Sequence, residues 1–212
     1  MTARRERQPL LAIQAIVAGN AVEFSRMLAR SPSLATAVLD VGASRDHALP
    51  YFFDVISHYV YAGDTPLHVA GAAYRNAIAR LLLAAGANVH AKNRRGAEPL
   101  HYAVDGGPGN PAWNPSAQVE MIEQLLAAGA DPNATDKGGT TPLLRAVRNR
   151  CADAVRTLLE GGADPSRANN RGSTSLRLAM VTSGRGGTGS KEAKAQQVEI
   201  VRMLSPRRTR RR

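Results

Sequence analysis

Cysteine occurs once in the 212 residues, as Cys151. An intrachain disulfide is therefore impossible, and nothing argues for an oxidising compartment. Aromatic residues make up only 4% of the chain, which suits close-packed short helices better than a β-sandwich, whose strands draw on aromatic and β-branched side chains. No apolar run approaches the roughly 18–20 residues that span a bilayer. The stretch 10–19 behind Arg4, Arg5 and Arg7 loosely resembles a signal peptide, but it contains Gln14 and reads better as a capping helix. The chain is expected to be cytoplasmic. Catalytic signatures are missing as well: there is no G-x-S-x-G, no H-E-x-x-H and no paired-carboxylate pattern.

What is present is an ordinary globular balance, 43% hydrophobic and 21% charged, with a formal net charge of +11. The charge is unevenly placed. Residues 1–7 and 207–212 hold eight of the 28 basic residues and one of the 17 acidic ones, leaving +4 between them. Residues 1–7 are expected to form a basic arm and 206–212 a disordered basic tail. Such a tail can meet nucleic acid or an anionic surface by counterion release, without sequence preference, since no aromatic is interleaved with it.

The chain repeats itself. Thr65-Pro66-Leu67-His68-Val69-Ala70 recurs as Glu98-Pro99-Leu100-His101-Tyr102-Ala103, as Thr141-Pro142-Leu143-Leu144-Arg145-Ala146, and as Thr174-Ser175-Leu176-Arg177-Leu178-Ala179, in steps of 33, 43 and 33 residues. A second marker, Leu-Leu followed by Gly-Ala, ends at Gly86, Gly129 and Gly162 with steps of 43 and 33. Both place one ten-residue insertion in the second unit. Each unit reads as two short helices and a turn. The threonines suit helix N-caps, the prolines the first helical position, the Leu pairs a buried stripe, and Gly86, Gly129 and Gly162 left-handed helix ends.

The period and the T-P-L-H-x-A pattern closely resemble the ankyrin-repeat family. The resemblance implies an all-α solenoid of stacked helix-turn-helix units, in a bacterial member with a long insertion before the first full repeat. Four repeats are expected at about 60–92, 93–135, 136–168 and 169–205, with loop insertions at 105–117 and 182–196. Residues 8–59 are expected to hold a degenerate capping repeat and an inserted helical segment. His68 and His101 would then tie neighbouring turns together by hydrogen bonds.

Other candidate chemistry has weak context. Gly184-Arg185-Gly186-Gly187-Thr188-Gly189 satisfies G-x-G-x-x-G formally, but no β-strand precedes it and no βαβ unit surrounds it. His47, His58 and His90 lie too far apart to suggest zinc. Cys151 reads as a half-buried thiol. No cofactor, metal or small-molecule substrate is implied.

The family binds partners through turn tips and the exposed side of each first helix. Carried over residue by residue, that surface runs through Tyr61, Asp64, Ala72 and Ala73, through Lys92, Arg94, Arg95, Ala97 and Asp105, and on to the third and fourth units. The expected contact residues are Tyr61, Lys92, Arg94, Arg95, Lys137, Arg148, Asn170 and Arg171, a largely basic strip. Five of nine aromatics, Tyr51, Phe52, Phe53, Tyr59 and Tyr61, fall within 51–61, where they either anchor a partner or bury the inserted segment. Trp113 is either a sticky loop tip or a lid over its repeat. These features point to a non-enzymatic protein-binding adaptor or inhibitor with an acidic partner. The alternative is a nucleic-acid or polyanion binder using the turn tips and the tail. A nucleotide-using enzyme would rest on the Gly-rich loop alone.

Overall fold

The computed structural model describes residues 2–181 and 190–205, the first eight of them (2–9) by backbone alone. The described residues form ten α-helices in five pairs: α1 (Thr2–Ala18) with α2 (Ala21–Arg30), α3 (Pro66–Ala72) with α4 (Asn76–Ala84), α5 (Pro99–Ala103) with α6 (Pro115–Ala127), α7 (Pro142–Asn149) with α8 (Ala152–Glu160), and α9 (Ser175–Met180) with α10 (Lys191–Leu204). The first helices pack in the order α1, α3, α5, α7, α9 and the second helices in the order α2, α4, α6, α8, α10. This makes a two-layered solenoid with one continuous core.

The repeat signature explains each start. Proline stands at the head of α3, α5 and α7, where a missing N–H costs nothing. Thr141 Oγ1 accepts from Leu144 N at 3.2 Å, capping α7. In α3 the cap is different: Thr65 N donates to His68 Nδ1 at 3.1 Å. That bond fixes the imidazole proton on Nε2, which donates to Ala97 O at 2.9 Å, one repeat further on. His101 does the same between Glu98 N (3.1 Å) and Thr140 O (3.0 Å). The signature leucines Leu67, Leu100 and Leu143 are fully buried, as are Leu82, Leu125 and Leu158 from the second helices. Gly129, at the end of α6, has φ of +93°, the left-handed conformation its position requires.

Two expectations about the N-terminal region need correction. Residues 2–7 are drawn into α1 instead of forming a separate arm. The inserted segment contains no α-helix among the described residues. It holds three 3₁₀ turns (Pro32–Thr36, Leu49–Tyr51 and Asp54–Ile56) and a short antiparallel pair, β1 (Phe52–Phe53) and β2 (His58–Tyr59), with Phe52 opposite Tyr59. Pro32 disfavours helical backbone at Ser31 and so stops α2 at Arg30, and the aromatic cluster favours extended backbone. The insert docks on the first repeat by main-chain bonds: Leu39 N to Asp64 O at 2.9 Å, Gly63 N to Leu39 O at 2.7 Å and Ala43 N to Val60 O at 2.8 Å. Gly42 lies flat on the Tyr61–Ala62 backbone, and a Cβ there would fall inside van der Waals contact.

The loop inserted after α5 folds back onto the solenoid. Cys151 Sγ donates to Gly106 O, and Asn149 Nδ2 donates to Val104 O at 2.9 Å. Trp113 is half-buried against the core. Its indole N–H donates to Gln118 at 2.9 Å, whose amide donates to Tyr74 Oη at 3.2 Å and Ala103 O at 3.1 Å. Trp113 is thus a lid and not a protruding tip. Residues 184–189 of the Gly-rich loop and the tail 206–212 lie outside the described residues.

Candidate protein-binding surface

A ladder of main-chain hydrogen bonds links the turns between repeats. Arg94 N donates to Ala62 O at 2.9 Å, Lys137 N to Arg95 O at 2.9 Å, and Asn170 N to Gly138 O at 3.0 Å. Each turn is shaped by one Asx side chain: Asn93 Oδ1 accepts from Arg95 N and Ala97 N, Asp136 Oδ1 from Gly138 N and Thr140 N, and Asn169 Oδ1 from Arg171 N and Ser173 N. Arg94 and Arg95, Lys137, and Asn170 and Arg171 therefore occupy consecutive tips, and all five are exposed.

Their side chains differ in what holds them. Tyr61 is half-buried, with the Arg95 guanidinium 5.1 Å and the Arg94 guanidinium 5.5 Å from its ring centre. Arg95 also donates to Tyr61 Oη at 3.2 Å, and Arg94 donates to Ala43 O on the insert. The Tyr61 ring continues into a ladder with Tyr59 at 6.4 Å, which itself stacks on Phe52 at 4.7 Å. Phe52, Tyr59 and Tyr61 thus pack the insert while each stays half-exposed, the Tyr61 ring beside the arginines. Lys92 is different. Its ammonium lies 3.6 Å from the buried carboxylate of Glu98, so part of its charge is already matched. Arg148, exposed at the end of α7, stands off the turn row, on the side where its charge acts on Asp105.

The acidic residues have withdrawn from this surface. Asp64, expected at a tip, is fully buried. Its carboxylate accepts from Tyr61 N at 2.6 Å, Asn93 Nδ2 at 2.8 Å and Tyr102 Oη at 3.0 Å. Burial, and then the Asp64 charge, push the Tyr102 phenol well above its usual pKa. Asp105, also expected at the surface, accepts from Arg145 at 2.7 Å and lies 3.3 Å from His58 Nε2. Burial alone would raise its pKa, but Arg145 and His58 hold it well below the usual carboxylate range. Arg145 reaches Asp136 at 3.0 Å with its other amino group. Burial also works against Asp136, and is outweighed by the Thr140 N–H and Arg145. Ala72, Ala73 and Ala97, expected to be exposed, are buried too.

Arg145 is the residue the sequence reading missed. It stands where the other repeats carry Val69, Tyr102 and Leu178, and only 8% of its side chain is exposed. A charged residue at an otherwise apolar signature position was the available signal.

The structural repeat agrees with family comparison. Sequence models of the ankyrin repeat match residues 62–94 and 95–137, and a model of multiple ankyrin repeats matches 125–179. The chain belongs to the ankyrin-repeat family. The 43-residue match to the second ankyrin repeat contains the folded-back loop with Trp113. No curated protein matches the chain. Ankyrin repeats are generally protein–protein interaction modules, and this ankyrin solenoid is a macromolecular-recognition domain of that class. No group of three or more potential metal ligands occurs among the described residues, and no described helix is long and apolar enough to cross a membrane. Cys151 is buried, not half-buried, and its burial pushes the thiol far up from its ordinary pKa. The thiolate that a nucleophile needs is thereby disfavoured.

Proposed function

We propose that this ankyrin protein is a non-enzymatic adaptor or inhibitor, acting in the cytoplasm, that binds an acidic protein partner along its turn tips. The observation that carries the reading is charge separation. Arg94, Arg95, Lys137 and Arg171 have no carboxylate within ion-pair distance among the described residues, whereas Asp64, Glu98, Asp105 and Asp136 are turned inward. A row of cations with no local counter-charge speeds encounter with an acidic surface and selects against basic ones. Tyr61 and Tyr59 add aromatic area beside the row, and tyrosine is among the residue types enriched at interface hot spots.

The testing experiment is affinity capture from cells of the source organism, with and without nuclease, at low and at physiological salt. The proposal expects a protein that survives nuclease and is retained at physiological salt. Capture that vanishes with nuclease, and falls steeply with salt, would assign the surface and the Arg-rich tail to nucleic acid or another polyanion instead.

A further inference from the structure

The spacing of the cations limits the shape of what they bind. Arg94 and Arg95, Lys137 and Arg171 sit on three successive tips, each joined to the next by one main-chain hydrogen bond. Packed helices lie about 8–10 Å apart, which sets the step between tips. An extended chain in the polyproline-II conformation rises about 3.1 Å per residue with about three residues per turn, so it covers one step in about three residues and returns every third side chain to the same face. The row is one cationic position wide at Lys137 and at Arg171, and its floor is turn backbone with Gly138 and Gly172 beside the cations. A chain lying flat along it meets one cation per step. The insert end of the row is built differently. There Val41 is 57% exposed, next to Gly42 on the Tyr61 backbone, and the Tyr61–Tyr59–Phe52 ladder adds half-exposed aromatic surface.

We propose that the row accepts an extended peptide segment of the partner carrying acidic residues at every third position, with one apolar or aromatic residue docking at the insert end. This rests on the acidic-partner reading and gives it a register. Arg94 and Arg95 take the first carboxylate. Both guanidiniums are pre-positioned by Tyr61, and Arg94 also by Ala43 O, so little side-chain entropy remains to be lost on binding. Lys137 takes the second carboxylate and Arg171 the third.

Fluorescence anisotropy on the full chain tests this with labelled synthetic peptides of one composition: a terminal Trp, three Glu, and Ser elsewhere, made in both chain directions. In one, Glu recurs at every third position; in the other, the three Glu are clustered. At about half a kcal/mol per exposed ion pair, three registered pairs predict about tenfold tighter binding of the spaced peptide in its better direction. Lys137→Glu should erase that difference while circular dichroism shows unchanged helix content. Equal binding of spaced and clustered peptides overturns the register and leaves the acidic-partner reading standing. Preferential binding of a helical peptide with Glu at every seventh position overturns the extended occupant. If no acidic peptide binds but single-stranded RNA does, both the register and the acidic-partner reading fail.

Discussion

Arg145 joins two ankyrin repeats through one side chain: its guanidinium donates to Asp105 at 2.7 Å and to Asp136 at 3.0 Å. Only 8% of the Arg145 side chain and 20% of Asp105 reach solvent. Removing one partner of such a pair strands the other's charge in a poorly solvated site, at a cost of about 3–5 kcal/mol. Arg145→Met should therefore lower unfolding free energy in urea by about 3 kcal/mol. Asp105→Asn should cost less, because Asp136 still neutralises Arg145. Equal, small effects of both substitutions would show the pair to be a minor contributor.

Acid should loosen the fold before the Asp105 and Asp136 carboxylates titrate. Burial lowers the His101 pKa from 6.5 to about 4, and Arg145 adds to the effect. His68 is lowered by burial as well. A histidine held neutral by the fold contributes stability present above the unfolded pKa. That stability is lost as pH falls from 6.5 toward 4, because the unfolded chain then binds more protons. The full effect for His101 is about 3 kcal/mol. Denaturation midpoints measured across this window should fall with pH. The slope should flatten in His101→Gln, whose amide does not titrate. Asp105 and Asp136, with depressed pKa values, add their losses only below the usual carboxylate range.

Two turn glycines separate backbone strain from turn stacking. Gly139 and Gly172 share φ of +71°. A Cβ at Gly139 would lie 2.9 Å from Asn170 N, in the path of the bond to Gly138 O, whereas a Cβ at Gly172 meets nothing within 4 Å. Gly172→Ala should cost about 1–2 kcal/mol, the left-handed conformation alone. Gly139→Ala should cost clearly more by thermal or urea unfolding. Equal costs would mean that the ladder between turns adds little.

The ankyrin repeats were legible because Thr65, Pro66, Leu67 and His68 and their counterparts each perform a local task that sequence spacing reveals. The insert was not legible in the same way. Its docking depends on main-chain bonds from Leu39 and Ala43 and on the close approach of Gly42, contacts between segments about twenty residues apart that carry no periodic signal. The surface was half legible. Turn position placed Arg94, Arg95, Lys137, Asn170 and Arg171 at the tips, but position alone does not reveal that Asp64 and Asp105 turn inward to Tyr102 and Arg145. Those contacts come from side chains one repeat away.

The most direct measurement of the central claim is partner capture by a charge-reversed row. Arg95→Glu, Lys137→Glu and Arg171→Glu together reverse three tips, and Lys92 is left alone because Glu98 depends on it. Among the described residues, the Lys137 and Arg171 side chains have no polar partner, and Arg95 holds only Tyr61, so each change should shift stability by no more than about 0.5 kcal/mol. The comparison is a chain lacking 206–212, which loses five arginines without touching the row. The account predicts that the reversed row loses its partner at unchanged helix content and that the truncated chain retains it. Loss on truncation, with capture intact after the reversal, would contradict it.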